Sequence, residues 1–298
     1  MNREPKIGLV TVLYNGKEVL RGFFESIAKQ TYKNYTLYII DNSPDDEAIT
    51  EAKLLASYYG IDVEFIKNNV NLGVAKGNNQ GIERSIEAGC EYILLLNNDI
   101  EFESHIFENM IEYALANNEK IMVPKIYYYG TNKIWMAGGE ISKLKGRGIH
   151  RGMMEEDTGQ YNKIEYVRYA PTCFMLIHSE VFRKVGMMDE KYFVYYDDTD
   201  FVWRALAMGF QICYFPLSIV EHKVSYSTGG SESLFSIYYD NRNRLYFITK
   251  NFPFFYKVTA LLFFYLSRMV RYLQFNKEQR QVLVKAIIDF RKLVKEHH

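Results

Sequence analysis

Residues Tyr92 to Glu101 read YILLLNNDIE, and the interpretation of the whole chain starts from this stretch. Its first half, Tyr92–Leu96, is short and fully apolar, which is typical of a strand buried on both faces of a parallel sheet. Asn97, Asn98 and Asp99 follow it directly. Ligands of open α/β sheets bind just beyond the carboxyl ends of the strands, so these polar side chains stand where a ligand would bind.

The three polar residues have the chemistry of a cation site. A carboxylate with neighbouring oxygen donors suits a hard cation such as Mg²⁺ or Mn²⁺, and that cation could hold a diphosphate. The alternative is a polar turn that ends a core strand, because such turns are common. The rest of the chain has to separate these two interpretations.

The composition is that of a soluble globular protein, and 298 residues suffice for one large or two ordinary domains. A formal net charge of zero gives no indication of nucleic-acid binding. The charge is unevenly distributed, because twelve basic and three acidic residues follow position 240. That segment carries about +9 and the first 240 residues about −9. The split favours an acidic, metal-binding body and a basic segment that faces something anionic.

Cysteine usage and the N-terminus indicate a reducing compartment. Cys90, Cys173 and Cys213 have no CxxC spacing, so we interpret them as small buried hydrophobes and not as a disulfide or zinc framework. The N-terminal MNREPKIGLV has no signal-peptide architecture, and we expect a cytoplasmic protein. The final Glu-His-His resembles the stub of an expression tag and is given no role.

Strands and helices alternate through the first hundred residues, which predicts a parallel sheet with helices on both faces. A glycine- and asparagine-rich loop, Asn68–Gly81, is expected to run into the third helix. The predicted strands are Lys6–Leu13, Tyr35–Ile40, Asp62–Ile66 and Tyr92–Leu96, and the predicted helices are Glu18–Gln30, one ending near Tyr59 and one ending near Ala88.

Polar residues recur at the ends of these strands, which strengthens the case for a ligand site. They are Thr11, Tyr14, Asn15, Asp41, Asn71 and Gly73. Tyr14 could supply a planar surface for a base and Asp41 an acceptor, although any one of them could be an ordinary turn or cap. A P-loop is excluded because GxxxxGK[ST] is absent, and the lack of GxGxxG disfavours a dinucleotide fold.

The second half of the chain is predicted to continue the same architecture, with Ser104 as the N-cap of a helix that ends near Asn117. Lys143–Asp157 is expected to be a mobile excursion that shapes the pocket of a second substrate. The other predicted elements are the strands Lys120–Pro124, Tyr169–His178 and Gln211–Phe215, the stretch Leu217–Glu221 and the helix Ser179–Val185.

Three carboxylates, Asp197, Asp198 and Asp200, lie within four residues at a predicted helix N-terminus. The helix dipole favours negative charge there, so capping is one interpretation. Crowded carboxylates also raise one another's pKa, which suits a general base, and we favour catalysis. Asp200 and Arg204 are four residues apart and can pair on one helical face, while Asp198 faces the cleft.

His222 follows the stretch Leu217–Glu221. A lone histidine after a strand is more often structural than a ligand. Because this one is expected to follow a strand of the same sheet, a metal-binding role is a reasonable prediction.

Taken together, these stretches resemble the inverting family 2 glycosyltransferases of the α/β, Rossmann-like GT-A fold, and within them the bacterial rhamnosyltransferase-like branch. The resemblance covers roughly residues 6 to 250. It is carried by VTVLYN at 10–15, DNSPDD at 41–46, NLGVAKGNNQGI at 71–82, LLLNNDI at 94–100, GMMDEKYFVYYDDTDFVWRA at 186–205, EH at 221–222 and DNRNRLYF at 240–247.

The resemblance implies a mostly parallel sheet and a role for each site residue. Thr11, Tyr14, Asp41 and Asn79 would line the base and ribose, and Asn97, Asn98 and Asp99 occupy the position of the family's Asp-x-Asp metal motif. Asp99 matches the carboxylate that binds the divalent ion, Asp198 the general base, and His222 a further metal or diphosphate contact. Asn97 replaces the first Asp of that motif, as is usual in this branch, and leaves fewer charges for the metal. Asp197 replaces the usual Glu and is expected to support Asp198.

The implied reaction is a single displacement that inverts the sugar. The metal would neutralise the departing diphosphate while Asp198 removes a proton from the acceptor hydroxyl. dTDP-rhamnose is the leading donor and a UDP-sugar the second choice, with a glycan or lipid-linked acceptor in bacterial surface polysaccharide synthesis. The alternatives are a nucleotide-sugar-binding module without turnover, and a nucleotidyltransferase, for which only Lys17 and Arg21 lie near the first strand.

The C-terminal part, 229–298, is predicted to be a helical segment that contacts a membrane surface, an acceptor or a second copy of the chain, beside a catalytic domain at 1–228. A helix is expected at Ser231–Lys250, and Pro253 starts a new element. The apolar run Val258–Leu266 is too short to span a bilayer. It is either a core or homodimer helix, the commoner case, or lies with the basic helix Gln279–Lys295 on an anionic membrane surface as a peripheral contact.

Overall fold

Twelve strands and nine α-helices make up residues 4–223 and 232–295, the parts that the computed structural model describes. The strands are β1 Ile7–Leu13, β2 Tyr35–Asp41, β3 Val63–Lys67, β4 Tyr92–Leu96, β5 Ile100–Phe102, β6 Ile121–Tyr128, β7 Ile134–Met136, β8 Gly139–Ser142, β9 Arg147–His150, β10 Glu165–Val167, β11 Phe174–His178 and β12 Ile212–His222. The helices are α1 Lys17–Ala28, α2 Glu47–Tyr59, α3 Val74–Glu87, α4 Ile106–Asn117, α5 Ser179–Val185, α6 Asp197–Ala207, α7 Leu234–Asn251, α8 Phe254–Gln274 and α9 Lys277–Lys295.

A mixed, mostly parallel sheet organises the first part of the chain, as predicted. Its order is β10-β12-β6-β11-β4-β1-β2-β3, with β5 and β7 added to β12 and β6. The run β4-β1-β2-β3 is parallel, and β6 pairs in parallel with β12. The antiparallel β11 separates these two groups. The carboxyl ends of β1, β2 and β4 therefore meet at one edge of the sheet.

The predicted central strand is confirmed, because all five residues of Tyr92–Leu96 are buried between β1 and β11. Helices α1 and α2 pack against each other, and α3 packs over β1 and β2. One large apolar cluster runs through these strands and helices and holds the strand ends in place.

The predicted loop Asn68–Gly81 is wrong in its second half, where α3 begins at Val74. The glycines of this stretch serve close packing and not loop flexibility. A Cβ on Gly77 would lie 2.7 Å from Val12 Cγ2, and one on Gly81 would lie 2.4 Å from Val10 Cγ1. The helix can approach β1 this closely only without side chains at these two positions.

Ser104 is not the N-cap that the sequence predicted. Helix α4 begins at Ile106, and the flanking residue His105 makes no side-chain capping bond. The carbonyl of Ser104 instead accepts the N–H of Thr31, which ties this turn to the end of α1.

Three strand predictions differ from the structure. β6 continues beyond the predicted Pro124 to Tyr128, and β11 begins only at Phe174, because residues 169–173 leave the sheet.

The two stretches predicted around Pro216 form one strand, β12, whose register shifts between Phe215 and Ile219. Proline cannot donate to a ladder, so a bulge at this point keeps the strand continuous. His222 is thus the last residue of a strand and does not follow one.

The predicted excursion Lys143–Asp157 contains regular structure. Its β9 pairs with β8 in a hairpin. At its end, the buried Lys125 forms an ion pair with the carboxylate of Asp157 at 2.7 Å. These contacts fix both ends of a segment that the sequence predicted to be mobile.

The C-terminal helices pack around α7. Asn243 Nδ2 donates to the carbonyls of Tyr192, Val194 and Tyr195 at 2.7, 2.7 and 3.0 Å, which joins α7 to the segment before α6. The predicted boundary between residues 228 and 229, the start of the predicted helix at Ser231 and the last three residues lie outside the described residues. Within 4–223 and 232–295, none of the helices has the length and apolar character that crossing a membrane requires.

Candidate active site

A cleft of about 1170 Å³ opens at the carboxyl ends of β1, β2 and β4. It brings together most of the site residues that the sequence predicted. Those on its wall are Tyr14, Asn71, Gly73, Asn97, Asn98, Asp99, Asp197, Asp198 and His222. The remaining predicted residues, Thr11, Asn15, Asp41, Asn79, Asp200 and Arg204, are not on the wall.

Asp99 and His222 meet at the floor of the cleft, although 123 positions separate them in the chain. His222 ends β12, and its Nε2 lies 3.1 Å from Asp99 Oδ1 and 3.5 Å from Asn97 Nδ2. Burial acts to raise the pKa of Asp99, but the hydrogen bond and charge of His222 outweigh it and hold the pKa below its ordinary value. The carboxylate is therefore ionised at neutral pH.

This pair fits two positions in the shell of a divalent cation. Adjacent ligands of an octahedral ion with bonds of about 2.1 Å lie about 3.0 Å apart, close to the observed separation. Among the described residues no group of three or more His, Cys, Asp or Glu side chains could hold a metal. An ion here would need oxygens from a diphosphate or from water, as is usual for Mg²⁺ beside phosphates.

Gly73 lets the third strand-end loop approach the segment before α6. Its φ is +85°, and an added Cβ would lie 2.4 Å from the carbonyl oxygen of Phe193. Asn71 Oδ1 accepts the N–H of Gly73 at 2.9 Å. Asn42, which the sequence analysis missed, lines the cleft and donates to the Gly73 carbonyl at 3.0 Å.

The segment before α6 has a strained backbone. Phe193, Tyr195 and Tyr196 have φ values of 64°, 61° and 69°, a region that residues other than glycine rarely adopt. Such conformations persist only where the surroundings fix them, and they cluster at functional sites. Here the three bonds from Asn243 fix them. The chain is thereby turned so that Asp197 and Asp198 begin α6 at the cleft wall.

Asp198 is held by two neighbours. Tyr169 donates its hydroxyl to Oδ2 at 2.9 Å, and the N–H of Thr199 donates to Oδ1 at 2.6 Å. Burial raises the pKa of Asp198, although these bonds act to lower it. Burial also raises the pKa of Asp197, with the charge of Asp198 as the next cause. The predicted rise is present, but desolvation contributes more than the crowding of charges.

The predicted pairing of Asp200 with Arg204 is confirmed, with Arg204 Nε donating to Asp200 Oδ2 at 2.7 Å. Arg204 also donates to the carbonyls of Val185 and Met187, both at 2.8 Å. Asp200 is fully buried and accepts from Asn251 Nδ2 at 2.8 Å. The pair therefore holds the start of α6 against neighbouring segments, away from the cleft.

An unpredicted row of rings connects the two ends of the site. Tyr169, which binds Asp198, stacks on His150 at 5.8 Å between ring centroids. Trp135 packs edge-on against both His150 and His222, at 4.5 and 4.6 Å. Burial lowers the pKa of His150 to about 4, so this ring is neutral. No sequence periodicity indicates this row, because its members come from separate segments.

Three residues predicted to contact a donor lie beside the cleft and not on it. Thr11 and Asp41 are almost completely buried. Asp41 Oδ1 accepts the N–H of Ser43 at 2.9 Å. The N–H of Asn15 donates to Ser43 Oγ at 2.8 Å. The bonds of Asp41 and Asn15 to Ser43 shape the turns that carry Tyr14 and Asn42.

Asn79 is also occupied internally. Its Nδ2 donates to the carbonyl of Met188 at 2.9 Å and to Glu190 Oε1 at 3.2 Å, and its Oδ1 accepts the N–H of Met188 at 3.0 Å. This side chain joins α3 to the segment that leads into α6. Its contacts are those of a structural support.

The C-terminal helices form a second wall of the cleft, whose individual residues the sequence did not predict. From α7 and α8 come polar and charged side chains, and β9 adds another. They are Ser236, Asp240, Asn241, Arg268, Arg271 and Arg147. The cleft is therefore completed by residues from beyond position 232.

The fold is that of the GT-A glycosyltransferases, and comparison with known proteins identifies the family. The chain matches the family model described as Glycosyl transferase family 2 over residues 9–186, more than half of its length. It therefore belongs to glycosyl transferase family 2 and is a glycosyltransferase, as the sequence predicted.

The individual relatives and solved structures match this chain at low sequence identity. The low-salt glycan biosynthesis hexosyltransferase Agl10 of Haloferax volcanii is 25% identical over 242 residues, which cover 80% of this chain and 74% of that protein. The dTDP-rhamnosyl transferase RfbF of Shigella flexneri is 30% identical over 152 residues, 49% of this chain and 47% of that protein. The crystal structure of GalNAc-T7 with UDP, GalNAc and Mn2+ has a TM-score of 0.63 at 13% identity and covers 85% of this chain and 52% of that chain. This chain thus spans about half the length of the last two.

Proposed function

We propose that this glycosyltransferase moves a hexosyl group from a nucleotide-diphosphate sugar to an acceptor hydroxyl in glycan synthesis, with inversion and with the help of a divalent cation. The observation that carries the proposal is the arrangement of one cleft. A buried carboxylate with a raised pKa, Asp198, and an ionised carboxylate paired with an imidazole, Asp99 with His222, line the same open volume.

Asp198 acts as the general base in this proposal. It takes the proton of the acceptor hydroxyl as that oxygen bonds to the anomeric carbon, and the bond from this carbon to the diphosphate oxygen breaks. The nucleoside diphosphate leaves with the bonding pair, so charge and atoms balance without an enzyme nucleophile. A raised pKa brings the base closer to neutral pH and makes proton transfer more favourable.

Asp99 and His222 would hold a Mg²⁺ or Mn²⁺ ion, which when bound neutralises the negative charge of the diphosphate. Asn97 and Asn98 add amide groups beside the same position. Tyr14, Asn71 and Gly73 are proposed to contact the nucleoside, and Asp197 to support Asp198.

The proposed donor is dTDP-rhamnose, supported by the sequence resemblance and by the name of the Shigella relative. A UDP-sugar is the second candidate, supported by the UDP in the GalNAc-T7 structure. A panel of nucleotide sugars with Mn²⁺ should identify the donor, because a ligand that binds only the folded state raises the melting temperature. Release of nucleoside diphosphate from that donor then separates an enzyme from a binding module. A panel without a stabilising nucleotide sugar would contradict the proposal.

The nucleotidyltransferase alternative gains no support from the basic residues near β1. Lys17 Nζ is paired with Glu47 Oε2 at 2.5 Å on the surface. A triphosphate would have to displace this carboxylate before it could use the lysine.

We further propose that residues 229–298 form a contact segment and that α8 rests on an anionic membrane surface. One face of α8 exposes a row of large apolar side chains: Phe254, Phe255, Leu262, Leu266, Met269 and Leu273. The excess of basic residues after position 240 complements anionic lipid. The alternative is that this face of α8 packs against a second copy of the chain in a homodimer.

Vesicles of phosphatidylcholine with and without phosphatidylglycerol test this proposal. We expect sedimentation with the anionic vesicles, which Leu266→Glu should reduce and Leu54→Glu, an exposed change on α2, should not. Equal sedimentation of both variants, or a dimer in light scattering that only Leu266→Glu dissociates, would reject the membrane in favour of the alternative.

A further inference from the structure

A cluster of three arginines around one carboxylate lies at the helical wall of the cleft, which is the second wall that the C-terminal helices form. Arg147 from β9, Arg244 from α7 and Arg268 from α8 all act electrostatically on Asp240. Arg147, Arg268 and Asp240 line the open volume. Three positive charges against one negative charge leave an excess of positive charge here.

Several hydrogen-bond donors in this cluster are unused. Among the described residues, Arg268 Nε, Arg244 Nη2 and the hydroxyl of Tyr196 are buried without a hydrogen-bond partner. Arg244 is 3% exposed and is not among the residues that line the cleft, whereas Tyr196 lines it and is 6% exposed. Buried unpaired donors are unfavourable, so the retention of Arg268 and Tyr196 on a cleft wall points to a ligand that pairs with them.

The remaining bonds of the arginines hold them in place. Arg268 Nη1 donates to Asn241 Oδ1 at 3.0 Å, and Arg244 Nε donates to the carbonyl of Lys145 at 2.6 Å. The other nitrogens of each planar guanidinium are thereby kept in a fixed direction. Fixed guanidinium groups match the geometry of phosphate oxygens.

Arg147, Tyr196 and Arg268 line the same cleft as Asp198. Tyr196 is two residues before Asp198, and Asn243 binds this segment to α7. Asp99 instead follows β4, and His222 is the last residue of β12. A molecule held by the cluster therefore lies beside the proposed base, where the attacking hydroxyl has to be.

We propose that Arg147, Arg268 and Tyr196 form a subsite for a phosphate group on the acceptor, with the buried Arg244 adding positive charge beside them. This inference rests on the proposed function, since it assigns the second substrate of the same site. The class of acceptor is a glycan or alcohol that carries a phosphate ester or diphosphate. The phosphate belongs either to a lipid carrier or to a soluble molecule.

Calorimetric titration of the full chain tests the subsite. The protein is first saturated with dTDP and Mg²⁺, so that the donor diphosphate site is filled, and is then titrated with inorganic phosphate and with a short prenyl phosphate in micelles. We expect Arg147→Gln and Arg268→Gln each to raise the Kd for both phosphates about tenfold, the loss typical of one charge-assisted hydrogen bond. Arg268→Lys, which keeps the charge, should lose less, and the exposed control Arg183→Gln should lose nothing.

The experiment distinguishes failure of the phosphate subsite from failure of the donor assignment. Phosphate binding that is absent, or equal in all variants, overturns the subsite. Loss of dTDP affinity in the arginine variants with unchanged phosphate affinity also overturns it, because the arginines would then serve the donor. If wild-type protein fails to bind dTDP yet binds phosphate through the arginines, the donor assignment fails and the phosphate site stands.

Arg147 is exposed, so its variant still decides the question if Arg268→Gln does not fold. Tighter binding of the prenyl phosphate assigns a lipid carrier, and equal binding assigns a soluble acceptor.

Discussion

The two walls of the cleft are built in different ways. On the strand-end wall, which forms at the carboxyl ends of the strands, most polar residues come directly after a strand in the chain, as Asn97, Asn98 and Asp99 follow β4. On the helical wall, Arg147 and Arg268 come from segments that are 121 positions apart and meet only through packing on α7. The difference shows why residues of the strand-end wall could be found from the sequence and those of the helical wall could not.

The largest effect is expected from Asp198→Asn, which removes the proposed proton acceptor. Turnover should fall by about 10² or more, while donor affinity stays within a few-fold, because the amide keeps the size of the side chain. Steady-state kinetics and donor titration measure the two quantities. Asp62→Asn, an exposed change before β3, is the matched control. Unchanged turnover of the Asp198 variant would refute the base assignment.

On the strand-end wall, Asp99→Ala should weaken donor binding about tenfold, but only when Mg²⁺ or Mn²⁺ is present, as expected for the loss of one charged ligand. Titration of the donor with metal and with chelator gives the comparison. A loss of equal size in chelator would show that Asp99 contacts the donor without an ion.

A substitution of Asn79 tests whether this residue supports the fold or contacts the donor. Asn79→Ala should lower the free energy of unfolding by about 1 to 2 kcal/mol, because the N–H and carbonyl of Met188 lose their partner, and should leave the donor KM unchanged. Urea unfolding and kinetics measure these values, with the exposed Glu83→Ala as control. A raised donor KM at unchanged stability would return Asn79 to the donor site.

The smallest effect is expected from Tyr169→Phe, with turnover on the pH plateau within about threefold of the native value. Its hydroxyl stabilises the charged form of Asp198 and lowers that pKa, so its removal raises the pKa further. As pH falls, activity should therefore be lost at a higher pH than in the native enzyme. The profile of kcat/KM against pH measures this shift, and Tyr166→Phe on β10 should leave it unchanged. A shift to lower pH would contradict the assignment.

Local patterns account for what the sequence predicted correctly. Five consecutive apolar residues identified β4, and the spacing of four residues identified the pair of Asp200 with Arg204. The errors have long-range causes. Pro216 divided β12 in two because its bulge depends on the neighbouring strand, and the packing of α3 on β1 is invisible in Gly77 itself.

The hydrogen bonds from Asn243 to the strained turn before α6 have a practical consequence for making chimeras of related enzymes. The family match ends at residue 186, before the carboxylates of α6, and the turn that presents those carboxylates is held in shape from α7. A chimera joined between residues 228 and 229 would separate the turn from the helix that shapes it. A junction just after Gly186 transfers the turn and the helix that shapes it together, while Arg147 of β9 stays with the recipient.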